Sequence, residues 1–215
     1  MMLSRRGLLA MLAALPAGAR AAPCCGPVSD AGRRLVAFLD GSGVEHLWLP
    51  GFRVNWRTGA AVSAWSDRSG THCSAFAASA AMRLGVYVLR PPQHTQNLLA
   101  NAQMGWLRGA DAAAAGWRPL ADATEAQMRA NAGELVLAAV ENPDPRKPGH
   151  IAIVRPSDID AATLREDGPL VTQAGAENAL SVPLAEGFSH HPGAWIAGGG
   201  GSVRFFAHMV DWTVR

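Results

Sequence analysis

The chain has 215 residues, 49% hydrophobic and 17% charged. That composition excludes intrinsic disorder, which needs low hydrophobicity and high net charge, and suits one core. Nineteen basic residues face 17 acidic ones, and three cysteines are too few for a disulfide scaffold.

Residues 1–21 have the pattern of an export signal. The pair Arg5-Arg6, in Ser4-Arg5-Arg6-Gly7-Leu8-Leu9, resembles a twin-arginine signal. An apolar run from Leu8 to Leu15 follows, closed by Pro16, and Ala19-Arg20-Ala21 is a small-x-small cleavage site. The run is far short of the ~20 apolar residues of a bilayer span. Its removal takes three of the 19 basic residues (Arg5, Arg6, Arg20) and no acid, leaving a net charge of −1. Such a chain carries no electrostatic footprint for nucleic acid. The expectation is a periplasmic or secreted protein without a stable membrane span. Cys24 and Cys25 follow the signal, where Pro23 argues against a lipoprotein cysteine. They are expected as an oxidised or incidental pair on a loose N-terminus.

Residues 22–40 form an expected N-terminal leader, with a short helix from Ala31 to Leu39, and residues 41–215 the domain. Ser42 to Gly70 is irregular, punctuated by Gly43, Pro50, Gly51 and Gly59. Cys73 to Leu84 is rich in alanine and serine and reads as a closely packed helix, stopped by Gly85. Thr71 or Ser69 could cap its start. A second helix is expected from Gln93 to Leu107. Asp122 and Glu125 have capping-box spacing, which predicts a third helix from Ala123 to Ala132, ending at Gly133. The period then turns strand-like: Leu135–Val140, Ile151–Val154 and Leu170–Gln173, with Val203–Phe206 and Met209–Val214 as closing strands. Residues 155–169 read as a polar, acidic loop. Helices first and strands afterwards give an α+β class.

Cys73 opens a helix, where unpaired backbone N–H groups and the macrodipole favour a thiolate, the nucleophilic form. Taken alone it could equally be a buried structural cysteine. Pro148-Gly149-His150-Ile151 puts an imidazole at the mouth of an apolar strand, a rigid seat for the base that a cysteine nucleophile needs. A third group should orient that ring. Gln173 ends the next strand and its amide oxygen can accept from the ring N–H, with Glu177 and Asn178 as alternates. His72 precedes Cys73 on the helix start and points away from it, as a lining or structural residue. Trp48, Trp56 and Trp65 either line a groove or, for at least two of them, pack in the core. His190-His191 and Cys24-Cys25 lack metal-ligand spacing, so neither a metal nor a cofactor is expected.

Cys73 at a helix start, the strand Gly149-His150-Ile151-Ala152-Ile153-Val154 and the polar Gln173 after it resemble the papain-like cysteine hydrolases. Among these the chain is most similar to the CHAP superfamily, the cysteine, histidine-dependent amidohydrolases/peptidases, over roughly residues 65–185. His72-Cys73-Ser74 and the long interval from His150 to Gln173 depart from the commonest cell-wall members. The resemblance implies a helix bearing the nucleophile packed on an antiparallel sheet, Cys73 as nucleophile and His150 as base. It also implies cleavage of an amide in peptidoglycan or a peptide, without a cofactor. A noncatalytic module that binds cell-wall peptides and an acyltransferase using the same dyad are the alternatives.

Overall fold

The protein is described here from a computed structural model covering residues 23–64 and 70–213. In chain order the elements are helix α1 (Asp30–Asp40), strands β1 (Phe52–Val54) and β2 (Ala61–Ala64), and helices α2 (Cys73–Arg83), α3 (Leu99–Leu107) and α4 (Ala110–Ala114). Strand β3 (Arg118–Leu120), helix α5 (Ala123–Asn131), strands β4 (Leu135–Val140) and β5 (His150–Val154) and helix α6 (Ala161–Asp167) follow. Strands β6 (Leu170–Gln173) and β7 (Ala179–Pro183), helix α7 (Leu184–Gly187) and strand β8 (Arg204–His208) complete the fold. It is α+β: helices against a six-stranded sheet in the order β3-β8-β4-β5-β6-β7, every neighbour antiparallel.

Central β4 and β5 are buried along their whole length, which is why they read as apolar runs rather than as alternating strands. Leu135, Leu137, Ala139, Ile151 and Ile153 share one core cluster with α1 and α2, while Val136, Ala138, Val140, Ala152 and Val154 join α5 and Phe188 in the second. Helix α2 is enclosed nearly all round, so its alanines serve close approach rather than an amphipathic stripe. It ends where Gly85 predicts. With φ at +68°, Gly85 donates its N–H to Met82 (3.0 Å), and the Val86 N–H reaches Ala81 (2.8 Å), a Schellman ending. Asp122 caps α5, its Oδ1 accepting from the Glu125 N–H (2.8 Å), while Glu125 reaches past the N-cap to accept from the Ala121 N–H (2.9 Å), a variant of the expected capping box.

Several expectations need correction. The helix expected from Gln93 begins only at Leu99, because Leu98 adopts a left-handed conformation (φ +50°) and Gln96 turns its amide to the Val54 carbonyl (3.2 Å). The N-cap of α2 is His72 rather than Thr71, and its side chain makes no capping bond; Ser69 lies outside the described residues. The loop 155–169 contains α6, started by Asp160, whose carboxylate accepts from the N–H groups of Ala162 and Thr163 (both 2.9 Å). The closing strand expected from Met209 is irregular chain, tied by the Trp212 indole to the Gly133 carbonyl (2.8 Å); Val214 lies outside the described residues.

Residues 23–40 are built into the fold. Leu35 and Leu39 are fully buried, and Gly32 lets α1 lie on α5, since a Cβ there would stand 2.4 Å from the Asn131 carbonyl oxygen. Cys24 and Cys25 form a disulfide and are not loose: the Cys24 N–H donates to the Ile159 carbonyl (3.0 Å), and Cys25 is buried. The expected export signal, residues 1–21, lies outside the described residues. Among the described residues no helix is long and apolar enough to cross a membrane.

Candidate active site

The site forms where the start of α2 meets the start of β5. Cys73 is the first residue of α2, its sulfur close to the backbone N–H groups of Ile151 and Ser74 and to the Ser74 hydroxyl, which act to lower its pKa. The Ile151 contact seats the thiol on the residue next to His150. These donors favour a thiolate, yet the side chain is only 4% exposed, and burial outweighs them: the thiol is pushed up from its ordinary value. The thiolate expected from the helix start is therefore not the favoured resting form. His72 is also buried, and its Nε2–H donates to the Phe52 carbonyl (2.7 Å), tying β1 to the entry of α2. Burial lowers its pKa.

His150 owes its place to the β4–β5 hairpin. It pairs with Val140, and Asn101 of α3 clamps the connection: its Oδ1 accepts from Gly149 N–H (2.8 Å) and Asn142 N–H (3.2 Å), and its Nδ2 donates to the Lys147 carbonyl (2.9 Å). Gly149 is obligatory there, because a Cβ would lie 2.1 Å from the Val140 carbonyl oxygen and 2.6 Å from Asn101 Oδ1.

Gln173, at the end of β6, lies 2.8 Å from His150, Oε1 against Nε2, and donates its own Nε2–H to the Glu177 carbonyl (3.3 Å). A carbonyl can only accept, so this second bond fixes the amide orientation and, through it, the ring tautomer. Nε2 carries the proton and Nδ1 is left as the free base. Burial of the ring, with smaller contributions from His191 and His190, pulls the His150 pKa from 6.5 to about 4 against the opposing pull of Gln173. Burial thus favours a neutral thiol at Cys73 and a neutral imidazole at His150.

Of the three groups considered for orienting the ring, Gln173 is the one bonded to it. Glu177 contributes only its carbonyl, to Gln173. Asn178 works elsewhere: its Oδ1 accepts from the Gly175 N–H (3.0 Å) and its amide donates to the carbonyls of Val44 (2.7 Å) and Leu47 (2.9 Å), anchoring the 44–48 loop beside the site. Trp48 packs edge-on to Phe76 (5.2 Å) at 2% exposure, so it belongs to the core. Trp56 is half-buried against the same core, and Trp65 lies outside the described residues.

Sequence reasoning missed Phe188 and His191, which flank the imidazole: Phe188 meets it edge-on at 4.6 Å, and His191 stacks on it at 5.7 Å. No periodic signal marks these positions; in the sequence the His190-His191 pair stands out only as one without metal-ligand spacing. Among the described residues there is no group of three or more metal-ligating side chains. His150 and Gln173 open into a cleft of about 560 Å³ whose lining also includes Thr71, Lys147, Glu177 and His191, but not the buried Cys73. No protein-family model matches this chain, and neither does any curated protein.

Proposed function

We propose that the chain is an exported cysteine amidohydrolase or peptidase, with Cys73 as nucleophile, His150 as general base and acid, and Gln173 orienting the ring. One observation carries the reading: the thiol rests on the Ile151 N–H while the neighbouring His150 is oriented by Gln173 with Nδ1 as its free base.

From the neutral pair, attack and proton transfer occur together. The Cys73 sulfur adds to the substrate carbonyl as its proton passes to His150 Nδ1. The resulting imidazolium, held through Nε2–H by Gln173, gives that proton to the leaving nitrogen as the C–N bond breaks, leaving a thioester. Water then surrenders a proton to His150 as it attacks the thioester, and the thiol is restored. The Cys73 backbone N–H is the first candidate donor to the oxyanion, and none of these steps calls for a cofactor.

Peptidoglycan is the proposed substrate, supported by the resemblance to cell-wall amidohydrolases and by the signal-like pattern of residues 1–21, which also supports a location in the periplasm or outside the cell. The test is product analysis of muropeptides and short peptides incubated with the wild type, Cys73→Ser and His150→Ala. New amine and carboxyl ends with the wild type alone support the reading. An added amine acceptor captured in the product would make the enzyme an acyltransferase.

The 4% exposure of the thiol favours a second reading, a module that grips wall peptides without turnover. Saturable muropeptide binding that survives Cys73→Ser, with no cleavage by the wild type, would establish it.

A further inference from the structure

Residues 184–191 cover both partners of the His150–Gln173 hydrogen bond. Helix α7 passes beside Gln173 at Gly187, where a Cβ would stand 2.7 Å from the accepting Oε1. The chain then turns on itself: the Phe188 N–H donates to Leu184 (2.9 Å), the His191 N–H to Phe188 (2.8 Å) and the Ala194 N–H to His191 (2.9 Å). This turn delivers two rings to one imidazole. Phe188, 1% exposed, meets His150 at 72°, whereas His191, half-buried on the cleft wall, lies nearly parallel to it at 13°.

The terminal torsion of histidine is broad and roughly two-fold, so a strand seat alone does not fix the plane of the ring. Gln173 selects which edge faces it. The plane itself has to come from packing, and a stacked face with an edge-on neighbour supplies that restraint.

We propose that His191 is a positioning residue for His150, its stacked ring holding the plane in which Nε2–H meets Gln173 and Nδ1 stays free as the base. Burial lowers the His191 pKa and keeps its ring uncharged, as stacking on a buried imidazole that becomes positive during reaction requires. The groups facing it across the cleft are His150 on β5, His190 beside it, Glu186 on α7, Glu177 on the β6–β7 turn and Lys147 on the β4–β5 hairpin. The kinetic part of this inference rests on the proposed hydrolase; its structural part does not.

The test uses the full chain with His191→Ala and His191→Phe, each checked for a cooperative thermal transition. The His150 Nε2–H resonance should exchange slowly in the wild type and in His191→Phe, and broaden into water exchange in His191→Ala. On an amide substrate, His191→Ala should lower kcat by about tenfold or more with KM within about twofold, and His191→Phe should recover kcat to within about threefold. An unchanged resonance and kcat in His191→Ala, a loss confined to KM, or no recovery with phenylalanine would each overturn the proposal. If His191→Ala does not fold, His191→Gln removes the ring in its place, with the same outcomes. If the wild type cleaves no amide, the hydrolase reading fails, and the resonance alone decides whether His191 positions the ring.

Discussion

Acid should destabilise this protein through His150. The ring is buried as a neutral base with a pKa near 4, against 6.5 for the unperturbed group. Between those values the unfolded chain binds a proton that the folded chain does not, so stability falls as pH falls through that window. At about 1.4 kcal/mol per pH unit the gap amounts to about 3 kcal/mol, present in full above 6.5 and gone below about pH 4. Near pH 4.5 about 2.5 kcal/mol of it is already lost. Urea unfolding of the wild type and of His150→Gln, near pH 7 and near pH 4.5, isolates the effect. His72 and His191, whose pKa values are also lowered, are present in both proteins and cancel in the comparison. The wild type should lose about 2.5 kcal/mol more than the variant on acidification. Parallel losses would refute the buried neutral imidazole. A resting thiolate–imidazolium pair would reverse the sign, because a raised His150 pKa gives stability that is lost as pH rises.

The thiol carries the same logic into reactivity: at neutral pH Cys73 should react with iodoacetamide more slowly than a free cysteine and far faster once unfolded. Faster labelling than a free thiol near pH 6, located by mass spectrometry, would contradict it. Gly187→Ala should displace the Gln173 oxygen while the fold survives, since the clash falls on the end of a flexible side chain. Amide turnover should fall by about tenfold or more, with stability down by about 1 kcal/mol in urea. Gly149→Ala meets backbone instead, at 2.1 Å, and should cost about 3 kcal/mol or more in the same assay. A Gly149→Ala protein as stable as the wild type would mean that the hairpin does not hold His150 as described.

The parts of the fold readable in the sequence are those specified by local chemistry or by an unbroken apolar run. Gly85, Asp122 and the run Leu135–Val140 each carry their own signal, and the helices and strand they mark form as expected. Strand β3 does not announce itself, since Arg118-Pro119-Leu120 has no alternation and pairs only because β8 offers an edge that a proline tolerates. The start of α3 is not legible because Gln96 bonds to Val54, in distant chain that no window of sequence contains, and Leu98 turns left-handed before the helix.

At the site, Cys73, His150 and Gln173 are readable as types at element boundaries, and the neighbouring strands β5 and β6 bring His150 and Gln173 to 2.8 Å. The cover from Phe188 and His191 was not readable, because a short helix and a turn decide where those rings go.

The dyad shows which of two opposing effects governs a helix-start cysteine. A macrodipole acting on a partly exposed group is worth about 0.3–1 kcal/mol, and up to about 2 kcal/mol in favourable buried geometry. Desolvation of a fully buried ion costs several kcal/mol. Burial therefore prevails at Cys73 despite the donors of Ile151 and Ser74, and it acts in the same direction on His150 by disfavouring the imidazolium. Both groups therefore favour their neutral forms. On the proposed mechanism no free thiolate forms, because the sulfur gives its proton to His150 as it bonds to the substrate carbonyl. That makes proton transfer to Nδ1 inseparable from attack, and it ties catalytic competence to the plane of one ring.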